Sequence, residues 1–312
     1  MAKPLTQRLA EYRQRRTTSL SDKHVERLIK SLQDLEEQVV QEARKIPLKK
    51  QLTARTTVAL SVRPKLKQII EQTYLTSVQS NITEYDDVAS WLIATFKEYP
   101  IPSEFKEITD VDLNVIQQLK RLSFAQFEDL GNEFVNELAN EIYSSSITGS
   151  SEQQMIENIR GKINGIYQSS DNTEAQELVD FIANNPGDTE NVRSAVSRLQ
   201  TIYGRDRLGN NFRRYAKQLV QDSLMGFDSQ FAKYRADELG LTHFRYAGTL
   251  ERDSRDFCRT HVNKVYSTKD IERIWQPPRT WDGAAQGDPF VVRGGYNCRH
   301  NWQPVNPDWN LD

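Results

Sequence analysis

The chain of 312 residues contains few of the side chains that usually form catalytic or metal centres, with 2 cysteines and 4 histidines in all. A disulfide framework cannot be built from this number of cysteines, and we therefore expect the protein to reside in a reducing compartment. The sequence also lacks an apolar run of about eighteen residues, and we expect no membrane-spanning helix. Its N-terminus is basic without the apolar stretch of a secretory signal.

Apolar residues are also scarce, at 37% of the chain with a mean hydropathy of -0.69. This composition favours elongated helices over one large globule. Apolar side chains recur at helical spacing through most of the chain. The predicted helices cover residues 22–45, 52–80, 83–99, 109–122, 124–145, 150–168, 173–184, 188–203 and 209–239. The expected fold is therefore mainly α, an elongated helical body with a small C-terminal α+β module.

Charge is distributed unevenly although the net charge is only -2. Residues 1–70 hold sixteen Lys and Arg against seven acidic residues, whereas residues 71–242 hold fifteen against twenty-seven. We therefore predict a basic N-terminal helical region (1–100), an acidic helical body (101–240) and the C-terminal module (241–312). A basic arm suits DNA or an acidic protein surface, and solvated helix faces are the alternative.

The scarce residue types gather after Leu241, where both cysteines, three histidines and four of the five tryptophans lie. Alternating aromatic residues predict a strand over 242–249, followed by a short helix at 267–276 and a loop over 277–289. The segment GGYNCRHNWQPV, residues 294–305, is predicted to return as a second strand.

Two pairs of possible metal ligands occur in this module. Cys258 and His261 have the spacing Cys-x-x-His, and Cys298 and His300 have the spacing Cys-x-His. Thiolate and imidazole are the donors that zinc prefers, so the four side chains could close a tetrahedral zinc site. The alternatives are a disulfide between the two cysteines, or buried thiols and histidines that only pack.

A catalytic centre is a further alternative. Cys298 together with a histidine and with Asp253 or Asp256 supplies the residue types of a cysteine hydrolase. However, no helix N-terminus that would lower the thiol pKa is predicted at Cys298, and no nucleophile signature surrounds it.

The C-terminal hundred residues resemble phage minor head proteins of the phage Mu head-morphogenesis type. The resemblance rests on FRYAGTLERDSRDFCRTHVNKVYSTKDIERIW and GGYNCRHNWQPV, in which the matching positions are Asp253, Arg255, Cys258, His261, Asn297, Cys298, Arg299 and His300. Members of that family often carry Cys where this chain has His261 and His300, and both residue types bind zinc. In the preceding helix this chain has Leu219-Val220-Gln221-Asp222 where the family often has Ala-Arg-Thr-Glu.

The resemblance implies a structural, non-enzymatic protein of a tailed-phage head, present in several copies and acting in head assembly, DNA packaging or ejection. The implied partners are the portal and capsid proteins and packaged double-stranded DNA, without a membrane. The implied location is the virion, with host cytoplasm during assembly. A zinc- or thiol-dependent hydrolase packaged in the virion and a DNA-binding packaging factor are the alternatives.

Two sets of N-terminal residues are expected to contact these partners. The apolar stripe of the helix 22–45 would bind the portal or the capsid wall. Its members are Val25, Leu28, Leu32, Leu35 and Val39. The basic side chains of the arm would face DNA or an acidic partner. These are Arg13, Arg15, Arg16 and Lys23. Asp253 and Arg255 are expected to orient the loop rather than to perform chemistry, and with Asn297 and Arg299 they form the structural motif.

Overall fold

The computed structural model describes residues 3–164, 212–252, 254–275 and 287–309, and a few single positions between 177 and 198. It confirms a mainly α protein with a small α+β module near the C-terminus. Among the described residues, no helix is both long enough and apolar enough to cross a bilayer. Most residues of the helices predicted at 173–184 and 188–203, and most of the loop 277–289, lie outside the described residues.

The first helix, α1 (Leu5–Arg44), starts well before the predicted residue 22 and so includes the basic arm. No glycine or proline interrupts the segment, so nothing in its sequence ends the helix earlier. The apolar stripe from Val25 to Val39 is buried, with exposures between 0% and 7%. The expectation that this stripe contacts a partner is therefore wrong, since it forms part of the chain's own core.

The predicted helix 52–80 is a series of shorter elements. These are α2 (Leu52–Leu60), α3 (Val62–Ile70), a π-helical turn (Glu71–Leu75) and α4 (Thr76–Thr83). Pro64 lies in the first turn of α3, where its missing N–H costs no helical hydrogen bond. The next helix, α5 (Tyr85–Lys97), ends before Pro100 as predicted.

The two helices predicted at 109–122 and 124–145 are one helix, α6 (Asp110–Thr148). Ser123, which separates the two predicted ranges, lies inside this helix, because serine favours helix starts without breaking a helix supported by tertiary packing. Two more helices follow, α7 (Glu152–Asn164) and α8 (Phe212–Glu238). At the end of α8, Gly240 adopts a left-handed φ of 65°, and the Leu241 N–H donates to the Ala236 carbonyl at 2.8 Å. A glycine with this conformation is a common way to end a helix.

The C-terminal module is built on a three-stranded antiparallel sheet with the order β2-β1-β3. Its elements are β1 (His243–Ala247), α9 (Asp256–His261), β2 (Val265–Ser267), α10 (Thr268–Ile274), α11 (Pro289–Val292) and β3 (Asn301–Val305). In the register of the sheet, Tyr246 pairs with Trp302 and Phe244 with Tyr266. Trp302 is 2% exposed and belongs to the buried core of the module.

The chain folds into two compact units. The first comprises Met1–Arg27, Val78–Gln126 and Gln218–Asp312, and the second comprises Leu28–Ser77 and Phe127–Lys217. Both units are assembled from segments that are distant in sequence, whereas the division predicted above follows consecutive ranges. The start of α1 therefore belongs to the same unit as the C-terminal module.

Candidate metal centre

A cluster of two thiols and one imidazole lies in the core of the C-terminal module. One donor atom from each of Cys258, Cys298 and His300 lies within 4.8 Å of the other two, and all three side chains are buried. The two Sγ atoms are 3.9 Å apart, and the Cys298 Sγ is 3.8 Å from the His300 Nδ1. The two halves of the motif, forty residues apart in the sequence, thus meet in space.

Cys258 is positioned by the short helix α9 and by the loop that leads into it. The Arg259 guanidinium donates hydrogen bonds to the carbonyls of Glu251, Arg252 and Ser254, which folds this loop onto the helix. Arg255 donates to the Tyr296 carbonyl at 2.7 Å, tying the loop to the segment that carries the second cysteine.

Cys298 and His300 lie in an irregular segment just before the strand, because β3 begins only at Asn301. Asn297 has a left-handed φ of 56°, and its N–H donates to an Asp222 carboxylate oxygen at 2.9 Å. The Cys298 N–H donates to the Gly295 carbonyl at 3.2 Å. The predicted strand was too long because this left-handed backbone interrupts the extended conformation before residue 301.

Two glycines make room for the cluster. A Cβ at Gly294 would lie 2.8 Å from the Cys258 Sγ, 2.8 Å from the Tyr246 hydroxyl oxygen and 3.0 Å from the Cys298 Sγ. A Cβ at Gly248 would lie 2.2 Å from the His300 Cδ2. Backbone therefore covers the cluster at both positions with no space left for a side chain.

A tyrosine that the sequence analysis did not select completes the cluster. The Tyr246 hydroxyl oxygen lies 3.3 Å from the Cys298 Sγ and 3.5 Å from the Cys258 Sγ. Its ring stacks on the His300 ring, with centroids 5.2 Å apart and planes inclined by 8°. Burial raises the pKa of Tyr246 well above its usual value, and the neighbouring sulfurs raise it further.

The two thiols share their protons unequally. A hydrogen bond from the Cys258 thiol lowers the pKa of Cys298 against the opposing effect of burial, and His300 lowers it further. The same hydrogen bond, together with burial, raises the pKa of Cys258. Within the pair, the Cys298 sulfur is therefore the one that loses its proton first, and it accepts a hydrogen bond from the Cys258 thiol.

His261, the fourth predicted ligand, is not part of this cluster. Its Nδ1 lies 2.8 Å from the Tyr266 hydroxyl oxygen, and its ring packs against Phe257 with centroids 4.5 Å apart. Burial lowers the pKa of His261. The structure thus brings three of the four predicted ligands together and gives His261 separate partners.

The remaining predicted motif residues occupy the loops around the cluster. Arg299 forms ion pairs with Asp22 at 3.0 Å and with Glu251 at 3.7 Å. Asp222 lies 3.7 Å from the buried Arg293. Burial raises the pKa of Asp222, and the Arg293 charge opposes that rise. Asp253 lies outside the described residues.

The four basic residues predicted to contact DNA or a partner differ in exposure. Arg15, Arg16 and Lys23 are exposed, and the Arg16 guanidinium lies 4.3 Å from the centroid of the Trp91 ring. Arg13 is only 1% exposed and forms an ion pair with Asp228. Arg13 also donates to the Gln303 side chain on β3, so it holds the start of α1 to the C-terminal sheet.

The arrangement can bind a soft or borderline metal ion, because it offers two sulfurs, one imidazole nitrogen and a phenol oxygen on neighbouring positions. Both cysteines are 3% exposed, and His300 is 5% exposed. Sequence reasoning found the cysteines and His300 from their spacing and scarcity. It missed Tyr246, because a tyrosine in an aromatic strand has no distinguishing signal, and Gly248, because its role depends on a contact with a residue fifty positions away.

In comparisons with known proteins, no family model matches this chain, and neither a curated protein nor a solved structure matches it.

Proposed function

We propose that this protein is a structural minor component of a tailed-phage head, which binds portal and capsid proteins during assembly, packaging or ejection. It is present in a few copies per particle and performs no chemistry. Its location is the virion, after a period in the host cytoplasm.

The observation that carries the proposal is the convergence of the two halves of the C-terminal motif. The resemblance to minor head proteins depends on the turn around Cys258 and the segment around Cys298, and both contribute to one buried cluster. Arg255 and Asn297 from the same motif hold the flanking loops in place. A motif whose members pack together in this way is suited to stabilising a module.

Burial favours a structural role over the alternative of a packaged hydrolase. A nucleophilic thiol must be reached by its substrate, whereas both cysteines are 3% exposed. Cys298 does have a lowered pKa and His300 beside it, which are the features of an activated thiol. However, the Tyr246 ring and the Gly294 backbone occupy the space next to the sulfurs.

Three exposed cations on α1 supply a contact surface for an anionic partner. Arg15, Arg16 and Lys23 are exposed on the part of the helix that is docked against the C-terminal sheet. Contacts of such residues with DNA phosphates would be independent of sequence and would weaken as salt rises. The same surface suits an acidic patch on a portal or capsid protein.

Particle composition tests the proposal. Tailed-phage particles from cells that carry the encoding gene would be purified on a density gradient, treated with nuclease and analysed by quantitative mass spectrometry. We expect the chain to remain with the particles in far fewer copies than the major capsid protein. A chain found only in the soluble fraction, or a gene whose deletion leaves particle assembly and infectivity unchanged, would overturn the proposal.

A further inference from the structure

We propose that the cluster binds one Zn²⁺ through the Cys258 Sγ, the Cys298 Sγ and the His300 Nδ1, and that the Tyr246 hydroxyl takes the fourth position instead of His261. This assignment differs from the one that spacing alone suggests. The site is independent of the proposed role in a phage head, because it depends only on the C-terminal module.

The distances between donor atoms fit a tetrahedral site. Zinc–sulfur bonds of about 2.3 Å and zinc–nitrogen bonds of about 2.0 Å give edges of about 3.8 Å between two sulfurs and about 3.5 Å between sulfur and nitrogen. The corresponding distances are 3.9 Å between the sulfurs and 3.8 Å from the Cys298 Sγ to the His300 Nδ1. These two distances are close to the coordinated edges, and one donor nitrogen of His300 lies within 4.8 Å of the Cys258 Sγ.

Tyr246 fits the fourth position by distance. A phenolate–zinc bond as long as the carboxylate–zinc bond, about 2.0 to 2.2 Å, predicts oxygen–sulfur edges of about 3.5 to 3.7 Å. The hydroxyl oxygen lies 3.3 and 3.5 Å from the two sulfurs. His261 instead uses its Nδ1 to contact Tyr266 and is absent from the cluster. Coordination would remove the phenol proton and so offset the effect of burial on this side chain.

The imidazole of His300 supports the assignment, because without an ion it is poorly satisfied. Its Nδ1 has only a sulfur contact at 3.8 Å, and its Nε2 has no hydrogen-bond partner among the described residues. A buried polar group without a partner costs free energy, and binding of Nδ1 to a metal would offset part of that cost. The Gly294 backbone, which lies against three of the four donors, would shield the ion from water.

Metal content and affinity of the full-length protein test the assignment. The wild-type chain would be purified under reducing conditions, and zinc would be measured by mass spectrometry and by competition with a chromophoric chelator. We expect about one equivalent of zinc, with loss of that zinc in Cys298→Ser and in His300→Ala. Tyr246→Phe would weaken zinc binding by about 10- to 100-fold, and the matched variant His261→Gln would leave it unchanged.

A second measurement uses only the wild-type protein, so it does not depend on the folding of variants. The rates of alkylation at Cys258 and Cys298 would be compared before and after removal of metal, with far-ultraviolet circular dichroism as a check on folding. We expect zinc to slow alkylation of both thiols at least tenfold. Absence of zinc with no protection on adding zinc would overturn the site, and a loss of zinc in His261→Gln but not in Tyr246→Phe would overturn the choice of the fourth donor.

Discussion

Gly294 shows how a single residue without a side chain sets the geometry of the cluster. The position that its Cβ would occupy is within 3.0 Å of two sulfurs and one hydroxyl oxygen. The backbone at Gly294 must come this close to the donors so that the segment carrying Cys298 can face α9. The residue is therefore constrained by its neighbours rather than by an unusual φ.

We expect Gly294→Ala to lower the free energy of unfolding by about 1 to 3 kcal/mol, because the added methyl group forces the buried donors apart. The matched control is Gly226→Ala in α8, where the nearest atoms to the new Cβ lie 3.8 Å away. That variant should gain about 1 kcal/mol, since alanine is the better helix former. Urea unfolding of both variants measures the difference, and equal stabilities would contradict the role of Gly294.

The cysteines and His300 could be predicted as a site from sequence, because residues that are rare in a chain are conspicuous when they occur in pairs. The fourth side chain of the cluster could not be predicted from sequence. His261 has a familiar spacing from Cys258, but its position on α9 directs it to Tyr266, whereas Tyr246 reaches the sulfurs from β1. Spacing along the chain gives no information on which strand lies across from a loop.

At the scale of elements, α1 is attached to β3 by a buried charged group. The Arg13 guanidinium contacts the Asp228 carboxylate and the Gln303 side chain, and Asn301 donates to the other Asp228 oxygen at 2.8 Å. Arg13 and Asp228 are each 1% exposed. Such a pair fixes one register between elements and is costly to break.

Arg13→Ala should lower the free energy of unfolding by about 3 to 5 kcal/mol, because it leaves the Asp228 carboxylate buried without its counter-charge. Arg15→Ala removes the same charge from the exposed face of the same helix and should change stability by less than about 0.5 kcal/mol. Chemical denaturation of the two variants distinguishes a docked helix from a free basic arm. Equal effects of the two substitutions would contradict the docking of α1.

A second contact between elements predicts a dependence of stability on pH. His24 on α1 lies 3.0 Å from a Glu84 carboxylate oxygen, between α4 and α5. Burial lowers the pKa of His24, and hydrogen bonding to Glu84 opposes that shift. As pH falls through about 6.5, His24 becomes protonated in the unfolded chain before it does in the folded chain. The free energy of unfolding therefore declines.

The midpoint of thermal unfolding should therefore fall between pH 7 and pH 5.5, and His24→Gln should reduce that slope. Glu84 also has a lowered pKa, but it affects the slope only at more acidic pH. Its contribution to the free energy of unfolding is lost as pH falls through the pKa that Glu84 has in the folded chain. His261, whose pKa is also lowered, retains part of the slope in the variant. An unchanged slope in His24→Gln would contradict the assignment to His24.

Helix periodicity predicted most elements of the body, since three-four spacing reports a buried face directly. Helix periodicity gave the wrong boundaries where a residue can either end a helix or lie within one. Ser123 can cap a helix or lie within one, and α6 continues through it. The helix periodicity did not predict the first turns of α1, because many of their side chains are polar. Those turns pack against the C-terminal sheet, and the local sequence gives no sign of this contact.

At the scale of the molecule, the basic start of the chain and the C-terminal module form one unit, with residues 78–126 and the segment from Gln218 onward. Charge asymmetry along the sequence therefore does not mark a separate arm. Of the four basic residues predicted to contact DNA or a partner, the three that are exposed, Arg15, Arg16 and Lys23, belong to a folded surface.

Binding of duplex DNA to this surface should be weak, independent of sequence and steeply dependent on salt. Replacement of Arg15, Arg16 and Lys23 by Gln together should reduce the slope of log affinity against log salt by about 2 to 3. Fluorescence anisotropy with a labelled duplex measures the slope. The matched variant with Lys264, Lys269 and Arg273 replaced, all on the C-terminal module, should leave it unchanged, and the opposite pattern would place the contact elsewhere.

An asymmetric reconstruction of the assembled particle tests the central claim most directly, because it locates the chain within the head. We expect density for the C-terminal module at the portal vertex, inside the capsid, in a small number of copies. Density for the chain on the outer surface, at every vertex equally, or in no part of the particle would contradict a structural role in the head.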